Sequence, residues 1–93
     1  MIKSFRCRET ERVFQRQATK RFSADLQRIA LRKLLVLDAS DTLDDLRVPT
    51  GNRLEKLHHG VANQYSIRIN DQWRICFRWH NGNAYNVEIL DYH

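Results

Sequence analysis

Arginine and histidine are the side chains of this sequence that could do chemistry. Twelve of its sixteen cationic residues are Arg, and a guanidinium holds a phosphate through two parallel hydrogen bonds and also stacks on nucleobases. Three of them, Arg68, Arg74 and Arg78, lie in a stretch where apolar and polar residues alternate. The formal net charge of +5 and the sequence pI near 9.7 favour an anionic partner, either RNA or an acidic protein.

Histidine is the natural proton-transfer group for cleaving RNA without a metal. That reaction needs a base for the ribose 2′-hydroxyl, cations for the phosphate and an acid for the leaving oxygen. The four histidines are His58, His59, His80 and His93, and no two have the i,i+4 spacing of a helical zinc site, so we expect no metal. His93, as the last residue, and His58, in a loop before the strand with Arg68, are candidates that also fit solvated surface residues.

The N-terminal half has the spacing of helices. Residues 1–5 favour a short strand, and the composition of Glu9–Gln17 suits a helix whose apolar contacts come from Val13 and Phe14. A second helix is predicted after Ser23, a residue type that caps helix N-termini. Its apolar residues recur at helical spacing: Leu26, Ile29, Ala30, Leu34 and Leu37.

An acidic segment, residues 38–45, follows the second helix. Thr42 followed three residues later by Asp45 predicts a capping turn that carries Leu43 and Leu46 inward. We expect a loop with one helical turn there.

After Gly51 the hydrophobic period changes from near 3.6 to 2, as in half-buried strands. Alternating stretches at 64–69, 73–79 and 85–89 are separated by turn residues at 70–72 and 81–83, which predicts a three-stranded antiparallel meander. Three-residue turns at both places would pair Ile67 with Ile75 and Phe77 with Val87. The predicted fold is α+β: an N-terminal strand and two helices on one face of a mainly antiparallel sheet, with residues 1–93 as a single domain.

The predicted register places Arg68 opposite Arg74 on the face away from the core, with Arg78 further along that face. Like charges directly opposite each other across a sheet are unfavourable, and an anion lying between them would remove the cost. The alternative is a solvated outer face without a ligand.

No stretch approaches the roughly 18 to 20 apolar residues of a membrane span, and the first residues lack the apolar run of a signal peptide. We therefore expect a cytoplasmic protein that does not contact membranes. Cys7 and Cys76 fit neither a disulfide scaffold nor a metal-ligand spacing, so free thiols and no cofactor are predicted.

Three segments carry a resemblance to a known family: Gly51-Asn52-Arg53-Leu54-Glu55, residues 64–77, and residues 86–93. Together they resemble the HigB toxins of the RelE superfamily, which belong to type II toxin–antitoxin systems. The resemblance covers nearly the whole chain and implies a RelE-like fold and ribosome-dependent endonuclease activity on translated mRNA. It also implies a HigA-type helix-turn-helix antitoxin as partner, with operator DNA bound only through that antitoxin.

The resemblance also implies roles for residues near the C-terminus. Asp91, Tyr92 and His93 fall on active-site positions of the family, with His93 near the reacting ribose and Tyr92 stacking on or positioning the base. Arg74 matches a position expected to stabilise the scissile phosphate.

Arg53, Arg68 and Arg78 are the residues we assign to RNA binding. The chain departs from the family at Leu57-His58-His59-Gly60-Val61, where many relatives have Leu-Lys-Gly-Asp-Arg. His58 thus replaces a permanent cation by a group whose ordinary pKa is about 6.5. We predict a milder toxin, and expect His58→Lys to increase growth inhibition at equal expression.

Two other interpretations remain open on the sequence alone. The altered segment around His58 is compatible with a weakly active or inactive homologue that acts mainly as antitoxin-binding partner and co-repressor. A DNA-binding protein acting alone is disfavoured, because the chain has no helix-turn-helix signature and its basic residues favour strands.

Overall fold

The structure is a computed structural model that describes residues 1–57 and 62–91. Within these ranges the helices are α1 (Arg8–Phe14) and α2 (Ala24–Ala39), followed by 3-10 helices at Leu43–Arg47 and Thr50–Asn52. The strands are β1 (Glu55–Lys56), β2 (Gln64–Arg68), β3 (Trp73–His80) and β4 (Asn83–Asp91). The α+β arrangement predicted from the sequence is confirmed. In the same ranges, no helix combines the length and the apolar character that crossing a bilayer requires.

Both predicted helices are present. The Ser23 hydroxyl accepts a hydrogen bond from the Leu26 N–H at 3.1 Å and caps α2 as expected. The helix α1 ends at Phe14, earlier than predicted, because Arg16 adopts a left-handed backbone with φ of 60°. The predicted capping turn is also confirmed: Thr42 and Asp45 form a reciprocal capping box.

The sheet has the strand order β1-β2-β3-β4, with neighbouring strands antiparallel. Ile75 pairs with Ile67 on one side and with Ile89 on the other, as the alternation predicted. The strand β1 was not predicted, because its two exposed residues show no apolar alternation. The predicted N-terminal strand is reduced to two isolated parallel bridges with β4, from Ile2 and Phe5.

The three-residue turn predicted at 81–83 is wrong, because the turn has only two residues. Asn81 and Gly82 form a two-residue turn with φ of 48° and 78°, and His80 pairs with Asn83. Positive φ at both positions is typical of the type I′ turn that an Asn-Gly pair favours.

With this short turn, a regular hairpin would place the apolar residues of β3 and β4 on opposite faces of the sheet. A β-bulge in β4 restores the pairing of apolar residues beyond it. Cys76 pairs with Glu88, but Arg78 pairs with Tyr85, so two residues of β4 lie opposite one residue of β3. The predicted pairing of Phe77 with Val87 is therefore replaced by this irregular step.

The core lies between the helices and one face of the sheet, which we call the inner face. Thr10 in α1 is fully buried, and its hydroxyl accepts a hydrogen bond from the Ile89 N–H at 3.0 Å, joining α1 to β4. The opposite, outer face carries the polar residues of the strands. The largest fully buried apolar side chains are Phe77, Leu34, Leu37, Leu46, Ile67, Ile75, Ile89 and Val87.

Candidate nucleic-acid interface

Three of the arginines selected from the sequence meet at one end of the outer face. Arg68 ends β2, Arg74 is the second residue of β3, and Arg53 follows the Thr50–Asn52 helix. They line a cleft of about 270 Å³, which we call the Arg cleft. Its lining residues are Arg53, Glu55, Arg68, Asn70, Asp71 and Arg74.

The guanidinium of Arg74 is fixed in place by three hydrogen bonds. Its Nε donates to the Ser66 hydroxyl at 2.8 Å, and its Nη2 donates to the carbonyl oxygens of Arg53 and Ser66. The residue is only 8% exposed, yet it forms part of the cleft wall. A cation held this rigidly loses little conformational freedom when an anion binds.

The loop that delivers Arg53 is anchored by a buried side chain. The Asn52 amide donates to the carbonyl oxygens of Leu46 and Val48, and its oxygen accepts from Lys33 of α2. Arg53 itself is left-handed, with φ of 44°, and its carbonyl oxygen accepts from Arg74. The position of this loop is thus fixed by both α2 and β3.

Two carboxylates offset the charge of the paired arginines. Arg68 and Arg74 lie directly opposite each other, as predicted. Arg68 forms an ion pair with Asp71, and the Nη1 of Arg74 lies 3.9 Å from the Glu55 carboxylate. Because both carboxylates are exposed, a phosphate entering the cleft could take over these contacts at little desolvation cost.

Positive charge extends from the Arg cleft to α2. The pKa of Lys33 is lowered, first by burial and then by the neighbouring charges of Arg32 and Arg68. Lys33 could not be singled out from the sequence, because an amphipathic helix has polar residues on its solvent side whether or not they have a function.

Asp91 lies at the same end of the sheet but on its other side. It pairs with Trp73, and its carboxylate accepts a hydrogen bond from the Gln72 amide at 2.9 Å. Arg74 pairs with Leu90 instead, and adjacent strand residues point to opposite faces. Asp91 therefore emerges on the inner side, whereas Arg74 emerges on the outer side. The candidates His58, Tyr92 and His93 lie outside the described residues.

Arg78 is separated from the other arginines. It lies four residues after Arg74 on β3, about 13 Å along the extended chain. Together with three other residues it lines a second cleft of about 320 Å³, which we call the Tyr85 cleft: Arg78, His80, Tyr85 and Asn86. The outer face thus holds two cationic clefts, where the sequence predicted one continuous row.

Cys76 lies on β3 between the two clefts, and its thiol is a weaker acid than an exposed cysteine. Burial raises the pKa of its thiol to about 11, with a further contribution from the Glu88 carboxylate. Both Cys76 and Cys7 are free thiols. Within residues 1–57 and 62–91, His, Cys, Asp and Glu side chains form no cluster that could hold a metal ion.

The fold and the clefts define a small basic α+β protein with arginine-lined clefts on one face of its sheet. Residues 3–93 match the family model of the HigB-like toxin, described as a RelE-like toxin of the type II toxin–antitoxin system HigB. The chain therefore belongs to this family, which confirms the resemblance drawn from the sequence.

Similar proteins agree with this assignment. Toxin HigB-1 of Vibrio cholerae is 41% identical over 70 residues, covering 75% of this chain and 73% of that protein. The protein named Endoribonuclease HigB in Proteus vulgaris is 32% identical, with both chains covered completely. An uncharacterized protein of Haemophilus influenzae is 37% identical over 70 residues, covering 75% of this chain and 68% of its own length.

Proposed function

We propose that this toxin is a metal-independent endoribonuclease that cuts translated mRNA on the ribosome in the cytoplasm, with residues 1–93 acting as one toxin domain. The observation that supports this most is the Arg cleft, where Arg68 and a rigidly held Arg74 lie side by side. A relative that spans the whole chain carries the name Endoribonuclease HigB.

In the proposed reaction, the Arg cleft binds the scissile phosphate. The ribose 2′-oxygen attacks phosphorus, the bond from phosphorus to the 5′-oxygen breaks, and a cyclic phosphate remains on the 5′ fragment. A general base takes the proton of the 2′-hydroxyl, and a general acid supplies a proton to the leaving 5′-oxygen. Arg74 and Arg68 stabilise the charge that builds on the phosphate oxygens, while Arg53 and Arg78 hold flanking phosphates.

The remaining roles follow the family resemblance. We assign the proton transfer at the ribose to His93, base positioning to Tyr92, and a weakened phosphate contact to His58. Asp91 acts as a positioning residue, since its hydrogen bond to Gln72 ties the end of β4 to the β2–β3 turn.

A HigA-type helix-turn-helix antitoxin is the proposed protein partner. It would silence the toxin and supply the contacts to operator DNA, because this sequence has no helix-turn-helix signature. The ribosome and its mRNA are the other proposed partners.

Mapping mRNA 5′ ends in cells after toxin induction tests the activity. We expect new ends within translated regions for the wild type and none for His93→Ala at equal protein level. If both strains lack new ends while the toxin still binds its antitoxin and strengthens operator repression, the chain is instead an inactive homologue acting as co-repressor. The replacement of a cationic Lys by His58 is the observation that favours this second candidate.

A further inference from the structure

The bulge in β4 changes the face on which Tyr85 lies. In an unbroken strand Tyr85 would share the inner face with Val87 and Ile89, as the alternation predicted. Because of the extra residue, Ala84 is fully buried instead, and Tyr85 pairs with Arg78. Bulges that redirect a side chain in this way are frequent next to binding sites.

The fold supports this bulge with specific contacts. Asn86 adopts a left-handed backbone with φ of 53°, a conformation that costs energy for residues other than glycine. Its N–H donates to the Ser4 hydroxyl at 2.9 Å, and the next N–H, of Val87, donates to the Ser4 carbonyl at 3.1 Å. The N-terminal segment thus stabilises the irregular geometry that brings Tyr85 to the outer face.

We propose that the Tyr85 cleft is a second RNA-binding site, in which the Tyr85 ring stacks on a base and Arg78 binds the adjoining phosphate of a single strand. An aromatic ring paired with a guanidinium is the usual means of holding single-stranded nucleic acid without sequence preference. The cleft volume of about 320 Å³ lies in the range of small-ligand sites.

The charge around Arg78 favours this occupant. Arg68 and Arg74 each have a carboxylate within ion-pair distance, whereas in the described part of the chain Arg78 has none. His80, exposed on the same side of β3, adds a second planar ring to the cleft wall. This side of the protein therefore presents an uncompensated cation beside two flat rings, which matches the alternating phosphates and bases of RNA.

The two clefts can serve one strand. They lie about 13 Å apart along β3 and on the same face of the sheet, so an RNA whose scissile phosphate sits in the Arg cleft would continue over Tyr85. The Tyr85 cleft would bind nucleotides that flank the cut. This inference rests on the proposed function only in taking RNA as the ligand.

The test is fluorescence anisotropy with the full chain and a labelled single-stranded RNA of about ten nucleotides, made with 2′-O-methyl riboses so that it cannot be cut. We expect Tyr85→Leu to weaken binding about fivefold or more, and Tyr85→Phe, which keeps the ring, to bind like the wild type. Arg78→Gln should lower the slope of log K against log salt by about 0.7, the value for one phosphate contact. Arg47→Gln, which removes an exposed cation that does not line the cleft, is the matched control.

Equal affinity of Tyr85→Leu and wild type would overturn the proposal, as would equal weakening by Leu and Phe, since the second result would assign the effect to the hydroxyl. A loss of antitoxin affinity with unchanged RNA binding would also overturn it, by making the cleft a protein interface. If Tyr85→Leu fails to fold in a thermal melt, the salt slope of the exposed Arg78→Gln decides. Since the probe cannot be cleaved, absence of new mRNA ends in cells counts against the proposed nuclease activity alone.

Discussion

Arg74 combines a structural and a functional task in one side chain. Its three hydrogen bonds join β3, β2 and the loop before β1, and its Nη1 lies 3.9 Å from Glu55, another residue that lines the cleft we propose for phosphate. A lysine keeps the charge but cannot reproduce a planar fork with several fixed N–H donors. The same residue therefore supports the cleft and lines it.

We predict that Arg74→Lys lowers the free energy of unfolding by about 1–3 kcal/mol, because carbonyl and hydroxyl groups buried around it lose their donors. Urea unfolding measures this. Arg68→Gln is the comparison, since its ion pair with exposed Asp71 should contribute no more than about 1 kcal/mol. Equal stability of Arg74→Lys and wild type would show that the hydrogen bonds around Arg74 do not stabilise the fold.

The buried thiol of Cys76 gives a second prediction at this scale. With its pKa raised to about 11 from an ordinary value of 9.0, we expect a thiol reagent at about pH 8 to modify Cys7 in the native protein and Cys76 only after unfolding. Mass spectrometry after timed labelling checks the order. Rapid modification of both thiols in the native state would contradict the burial of Cys76.

The same shift makes stability depend on alkaline pH. The unfolded thiol loses its proton near pH 9.0, whereas the folded thiol keeps it up to about 11, so the folded state binds more protons in this window. The contribution of the protonated Cys76 thiol to the free energy of unfolding is therefore complete below pH 9.0 and is lost as the pH rises toward 11. Cys76→Ala should flatten this part of the stability profile.

At the scale of elements, local signals were sufficient where the chain uses short-range chemistry. The Ser23 cap, the Thr42–Asp45 capping box and the pairing of Arg68 with Arg74 follow from residue type and spacing alone. The strand β1 could not be predicted, because its two exposed residues are held mainly by backbone pairing.

The bulge shows why part of the outer face was not predicted. An alternating stretch such as 85–89 fits a regular strand and a bulged strand equally well, so periodicity cannot detect the extra residue. The available clue was the Asn81-Gly82 pair, which favours a two-residue turn. In a regular hairpin such a turn would pair apolar residues of β3 with polar residues of β4, so one strand must contain an extra residue. The inserted residue explains why the alternation placed Tyr85 on the inner face.

Gly82 provides a test of the turn. It has φ of 78°, and a Cβ there would lie 3.3 Å from the Asp41 carbonyl oxygen. We predict that Gly82→Ala lowers the free energy of unfolding by about 1–2 kcal/mol, from the left-handed backbone and this close contact. Gly51→Ala is the matched control, because nothing lies within 4 Å of a Cβ there and its φ is not positive. If both variants unfold at the same urea concentration, the turn is not under this constraint.

For the whole molecule, the fold separates stability from function across the sheet. The helices cover the inner face and bury the apolar core, and the outer face keeps one cleft lined by three arginines and one lined by Arg78. Composition predicted an anionic partner from the +5 charge, but it could not show that Glu55 and Asp71 partly neutralise one cleft. These carboxylates explain how paired arginines persist in the fold without a bound anion.

The proposed activity depends above all on the Arg cleft binding the mRNA phosphate at which the chain is cut. It is tested most directly by primer extension on a defined mRNA in a cell-free translation reaction to which purified toxin is added. Arg68→Gln is compared with Arg47→Gln, which removes the same charge and an ion pair of the same i,i+3 spacing at an exposed site. We expect cleavage products with wild type and Arg47→Gln, and strongly reduced products with Arg68→Gln. Equal cleavage by all three proteins would rule out phosphate binding in the Arg cleft.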